Sequence, residues 1–107
     1  MLKKIKKILG LSQNGDIRGF IKRGAIILDV RSKVEFANGH INDSLNIPLD
    51  CLYNNLDKIA SKKAPIITCC ASGMRSNAAK RILNNAGYTH VQNGGSWISV
   101  KNKIDHF

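Results

Sequence analysis

The sequence is poor in the residues that would staple a small chain together or carry it across a bilayer. Its three cysteines, Cys51, Cys69 and Cys70, are odd in number. Adjacent cysteines pair only with strained geometry, so no disulfide framework is indicated and a reducing, cytoplasmic setting is expected. No C-x2-C or H-x3-H spacing occurs, and no metal site or metal ligand is expected. No apolar run approaches the roughly 18 residues of a membrane span. The start, MLKKIKKILGL, is basic but lacks the apolar stretch of about 7 residues that a secretory signal requires. With Gly 9 and Pro 2 the chain is neither low-complexity nor collagen-like. Aromatic residues make up 6% and are not interleaved with a basic stripe, so no nucleic-acid partner is expected. Acidic residues are also scarce. Seven of them against 17 basic residues leave a formal charge of +10, which favours anionic partners without choosing among them.

What is present is enough apolar material for one core: 43% of 107 residues is hydrophobic. Residues 1–11 form a basic amphipathic segment in which Leu2, Ile5, Ile8 and Leu9 fall at helical spacing between four lysines. The segment is short for stable membrane binding, so packing on the domain or fraying is expected instead of membrane contact. Without it, thirteen basic against seven acidic groups leave +6 on residues 12–107, read as a single domain.

Within that domain the hydrophobic period changes repeatedly. A helix is expected from Ser12 to Gly24, capped by Asn14 or Asp16 and presenting Ile17, Phe20 and Ile21 on one face. The continuous apolar run 25–30 reads as a strand buried on both faces. Residues 31–39 read as a helical turn with Val34 and Phe36 buried, and Ser44–Ile47 as a short strand. Asp50 is placed to cap a helix bearing Leu52, Leu56 and Ile59. Residues 66–69 form another buried strand, followed by a loop, a helix carrying Ala79, Ile82, Leu83 and Ala86 and ended by Gly87, and a short strand at 89–92. No capping helix is evident after Ile98. Strands alternating with helices indicate an α/β domain with a mostly parallel central sheet flanked by helices, and such sheets bind ligands beyond the carboxyl ends of their strands.

The segment Thr68-Cys69-Cys70-Ala71-Ser72-Gly73-Met74-Arg75-Ser76 carries the chemistry. It puts a thiol at the end of a buried strand and opens directly into a helix, whose first N–H groups and partial positive charge favour a thiolate. Small residues at 71–73 let several amides converge on one anion, with Arg75 adding a cation. Two registers are available: C-x-x-G-x-R-S from Cys70, sized for a persulfide or small sulfur oxyanion, and C-x5-R-S from Cys69, sized for phosphate.

The first register resembles the active loop of single-domain rhodaneses, thiosulfate sulfurtransferase-like proteins, with Cys70, Gly73, Arg75 and Ser76 matching in position. A second block agrees in order and spacing: Asp29-Val30-Arg31, Glu35-Phe36, Gly39-His40-Ile41 and Asn46-Ile47-Pro48 are similar to that family's D-V-R, E-[FY], G-H-I and N-I-P signatures. The resemblance spans roughly residues 14–100. It implies a rhodanese-like three-layer α/β domain and an enzyme in which Cys70 takes sulfane sulfur from thiosulfate or a persulfide donor as a persulfide, then passes it to cyanide or a thiol. Residues 71–76 would bind the substrate and the persulfide, with no cofactor. The expected partners are a small sulfur-containing anion or thiol, or a protein that donates or accepts a persulfide. Asp29, Arg31 and Glu35 are expected to support the site, Arg31 and Glu35 as a structural ion pair.

Two other readings remain. The chain could be a persulfide carrier or regulatory module with little turnover, which Ala71 favours because a protein donor needs fewer loop cations. It could also be a phosphatase or arsenate reductase working through Cys69. Cys69 otherwise reads as a core residue, Cys51 as a half-buried packing thiol, and His40 as a structural histidine. His90 is assigned to packing or surface, and Trp97 and Tyr88 to packing. Asp43 stands in a turn where rhodaneses often have glycine.

Overall fold

The computed structural model describes residues 16–59 and 61–107. The expectations for residues 1–11 lie outside the described residues. Within them the chain runs α1 (Ile17–Lys22), β1 (Ile26–Asp29), α2 (Lys33–Ala37), β2 (Leu45–Asn46), α3 (Leu49–Leu52), a 3-10 segment (Tyr53–Lys58), β3 (Ile66–Cys70), α4 (Met74–Asn85), β4 (Val91–Ser96) and α5 (Trp97–Asp105). The strands form one sheet in the order β2-β1-β3-β4, every neighbouring pair parallel. None of the described helices is long and apolar enough to cross a membrane.

The apolar runs build this sheet because successive side chains alternate between its faces, and both faces are covered. Leu28, Val30, Ile66 and Cys70 pack with Leu52, Ile59, Ala79 and Leu83 on the α3/α4 side. Ile27, Ile67 and Cys69 pack with Ile17, Phe20 and Val100 on the α1/α5 side. The result is the three-layer α/β arrangement expected from the sequence. Leu28, Ile66, Ile67 and Leu83 are fully buried. Truncating any one of them to alanine removes about 2–5 kcal/mol.

Several local expectations are corrected. Asp50 lies in the first turn of α3, and Pro48 occupies the N-cap, its fixed φ leading the chain into the helix. Val34 is exposed, because the short α2 turns only part of its surface inward. The last strand lies at 91–96 rather than 89–92, so the Gly94-Gly95 pair is inside it. A Cβ on Gly94 would fall 2.5 Å from Val100 Cγ2 and 2.7 Å from Ile67 Cγ2, so glycine is what lets α5 close on the sheet here. The tail does form a helix: Ser96 caps α5, its hydroxyl accepting the Ser99 N–H at 3.1 Å, and Val100 buries itself against the sheet. Asp43 has φ +66°, the left-handed turn geometry that glycine adopts most easily.

Candidate active site

All parallel strands point their carboxyl ends to one edge of the sheet, and the loop after β3 crosses that edge. Alternation along β3 decides which cysteine serves it. Cys70, its last residue, faces α4 and the loop, whereas Cys69 faces α1 and α5. Cys69 is wholly buried, and burial together with the nearby Asp29 carboxylate pushes its thiol up to about 12. The C-x5-R register therefore places no sulfur inside the loop.

Cys70 has the opposite electrostatics. Its Sγ accepts the Gly73 N–H at 2.9 Å and the Ser76 N–H at 3.4 Å, and lies 3.6 Å from Ser76 Oγ. Burial raises the thiol, but its hydrogen bond with the Ser76 side chain and those from the Ser76, Gly73 and Ser72 amides outweigh it and leave the pKa below its ordinary value. Gly73 makes this possible. At φ +109° it N-caps α4 and turns its own amide back onto the sulfur. Cys70 itself is 1% exposed, while Ala71, Ser72 and Met74 of the covering loop are exposed.

Two positioning residues carried no signal strong enough to single them out in the sequence. Thr68, buried on β3, donates its hydroxyl to Ser76 O at 2.9 Å and ties the first turn of α4 to the sheet. Asn93 on β4 accepts from Ser76 Oγ at 2.6 Å and from the Gly95 N–H at 2.9 Å. Asn93 pairs in register with Thr68, and the β3/β4 register slips only after it, before Cys70 meets Ser96. The sequence offered only a polar residue before Gly-Gly, one position past the strand expected at 89–92.

The expected Arg31–Glu35 ion pair does not form. Arg31 folds back on Asp29, donating from Nε at 3.0 and 3.1 Å and from Nη2 at 2.7 Å, with its backbone N–H on the same carboxylate at 3.0 Å. Both side chains are buried, where a charge is tolerated only when paired. Arg31 also donates to Gly39 O at 2.7 Å and to Glu35 O at 3.4 Å, and its guanidinium lies 4.7 Å from the centre of the Trp97 ring. Asn46 completes this corner by donating to Asp29 O and Arg31 O, each at 3.0 Å. With Arg31 so engaged, Glu35 turns to Arg75. The two form a bidentate pair, Nη1 to Oε1 at 2.8 Å and Nη2 to Oε2 at 3.0 Å, across 40 residues of chain. Arg75 first, then the Ser32 amide, holds the Glu35 carboxyl down to about 2. Ser32 caps α2 reciprocally with Glu35, so the carboxylate is fixed at both ends.

The remaining candidates are peripheral. Cys51 is exposed rather than half-buried, since the short α3 turns it to solvent. His40 stacks on Phe36, its Nδ1 2.7 Å from Phe36 O, and His90 is exposed. Tyr88 is buried, as a packing residue should be, and Trp97 packs over Arg31. A groove of about 820 Å³ lined by Tyr53, Leu56, Ile59, Lys62, Ile82 and Tyr88 lies toward the amino-terminal strand ends, away from the sulfur.

A parallel α/β sheet with a cysteine at a carboxyl strand end, cradled by the amides of the following helix, defines the class of fold and site. This chain belongs to the rhodanese-like domain family, which matches residues 13–96. It is 34% identical over 94 residues to Protein HIGH ARSENIC CONTENT 1, mitochondrial, of Arabidopsis thaliana, covering 78% of this chain and 56% of that one. It is 33% identical over 69 residues to the thiosulfate sulfurtransferase PspE of Escherichia coli, covering 64% of this chain and 66% of that one. The chain thus spans between about half and two thirds of the length of these relatives. A solved structure described as a rhodanese with anions from E. coli superposes with a TM-score of 0.66 at 30% identity, covering 70% of this chain and 89% of that one.

Proposed function

We propose that this protein is a sulfurtransferase that carries sulfane sulfur as a persulfide on Cys70. The observation that carries the reading is the Cys70 sulfur held under the head of α4, 2.9 Å from the Gly73 N–H, with its pKa lowered by that cradle. The thiolate attacks the outer sulfur of the donor. The donor's S–S bond breaks, its inner sulfur leaves with the electron pair, and Cys70 Sγ gains a sulfur bearing the negative charge. From thiosulfate the leaving group is sulfite; from a persulfide it is a thiolate. A thiolate or cyanide then attacks that outer sulfur and regenerates the Cys70 thiolate. Throughout, the charge rests on one or the other of two adjacent sulfurs, so the amides at 71–76 stabilise every stage without moving. Asp29 and Arg31 hold the strand end and α2 in place, and α2 carries Glu35 to Arg75. The same reading takes residues 12–107 as one functional domain, working where thiols stay reduced.

The test is intact mass after incubation with thiosulfate or a small persulfide. The wild type and Cys69→Ser gain one sulfur, which cyanide removes, and Cys70→Ser gains none. A sulfur adduct on Cys70→Ser overturns the assignment. Loading without release to any acceptor in steady-state assays would favour the carrier reading, which the small, weakly charged loop also suits.

A further inference from the structure

The sulfur-transfer reading needs a donor, and the charges around Cys70 bear on which one. Arg75 is the one cation within residues 70–76. Its guanidinium is engaged by both oxygens of Glu35 at 2.8 and 3.0 Å, so its charge is compensated where it stands. Glu35 is not free to drift away, because Oε1 also accepts the Ser32 N–H at 2.9 Å in the α2 capping box. Beside Arg75 lies a cleft of about 300 Å³ lined by Val30, Ser32, Pro48, Leu49 and a second carboxylate, Asp50. Asp50 has no cation within salt-bridge distance among the described residues. The cleft beside the site therefore offers one compensated cation, one further carboxylate and an apolar rim of Val30, Pro48 and Leu49.

We propose that Glu35 is a specificity-determining residue: by neutralising Arg75 it leaves the mouth without free positive charge and biases the site away from the thiosulfate dianion and toward a persulfide on a weakly charged carrier. This rests on the sulfur-transfer reading and adds the donor class to it. Transfer from the persulfide balances simply. The Cys70 thiolate takes the outer sulfur, the carrier departs as its thiolate, and no external oxidant or reductant is required. A dianion brings two negative charges beside the thiolate, and with Arg75 compensated only backbone amides face them. A persulfide brings one at most, and its carbon scaffold can lie against the apolar rim.

The experiment measures the second-order rate of Cys70 loading by thiosulfate and by a persulfide of an uncharged small thiol, in the wild type and in Glu35→Gln. Glutamine keeps an acceptor for the Ser32 amide while removing the charge. Taking the ratio of the two donors cancels any change in the thiolate fraction. The thiosulfate-to-persulfide ratio is expected to rise about three- to fivefold in Glu35→Gln, with a steeper fall as salt is added than in the wild type. Ala71→Lys, which adds a cation at an exposed loop position and leaves the pair intact, is expected to move the ratio the same way. An unchanged or lowered ratio in a folded Glu35→Gln overturns the inference while leaving sulfur transfer standing. A rise in Ala71→Lys alone overturns the part assigned to Glu35. Failure of both donors to load wild-type Cys70 overturns the sulfur-transfer reading itself.

Discussion

Gly73 sits at φ +109°, where an L side chain costs about 1–3 kcal/mol, and its amide is the shortest donor to the Cys70 sulfur. Gly73→Ala has two expected effects. The protein loses about 1–3 kcal/mol in urea unfolding, and the Cys70 thiol titrates at higher pH because the relaxed loop withdraws an amide from it. A variant that loses stability yet keeps the wild-type titration would mean that the amide does not act on the sulfur. Cys69 shows the limit of reading residues singly. In the sequence it and Cys70 are neighbours with two possible loop registers, and only the alternation of β3 between two covered faces separates them. Once Cys69 is placed on the α1/α5 side at 0% exposure, its role is packing.

At the scale of elements, the Asp29–Arg31 pair acts as a fastener between β1 and α2, through Asp29 on one side and Gly39 O and Glu35 O on the other. Arg31→Met leaves a buried carboxylate without its partner and is expected to cost about 3–5 kcal/mol, read from the urea midpoint. Because α2 carries Glu35, the same change should loosen the hold on Arg75. That pair has its own pH signature. The Glu35 carboxyl is held near 2 against an ordinary 4.5, so its stabilisation is fully present above pH 4.5 and is lost as pH falls toward 2. The difference in melting temperature between wild type and Glu35→Gln should shrink over that window and stay constant from pH 5 to 7. The elements themselves were largely legible: buried runs gave β1 and β3, and Gly24 and Gly87, both at positive φ, marked the ends of α1 and α4. The ion pairs were not. Arg31 and Glu35 stand one helical turn apart, an attractive spacing in sequence, but burial of Asp29 claims the arginine first and leaves Glu35 for a cation 40 residues away. Residues after Ile98 lacked an obvious pattern because α5 buries only Val100 fully and takes its start from the Ser96 cap.

For the whole molecule, the +10 charge and the local charge at the site point in different directions. The site proper is close to neutral, with Arg75 compensated by Glu35 and Arg31 by Asp29, so the excess acts at long range. It should draw small anionic donors toward the protein, and loading by thiosulfate should slow as ionic strength rises from about 10 to 150 mM, over which the Debye length falls from about 30 to 8 Å. Loading by an uncharged-carrier persulfide should change less. Salt-independent loading by thiosulfate would show that the surplus charge plays no part. What the sequence conveyed at this scale was the two ordered blocks that the fold joins. Residues 29–48 and 68–76 meet at one sheet edge because β1 and β3 are adjacent and parallel, with Asp29 beside Cys69 in register. Asn93 reaches the same edge because β4 runs on in register opposite Thr68, beyond the strand end expected at residue 92. The central claim is that this edge lowers the pKa of the Cys70 thiol and raises that of Cys69. Site-resolved alkylation by iodoacetamide against pH tests it most directly. Cys70 should react with a midpoint below the ordinary thiol value of 9.0, and Cys69 should stay unmodified until the protein unfolds. A Cys70 midpoint at or above 9.0, or Cys69 reacting first in the folded protein, would contradict it.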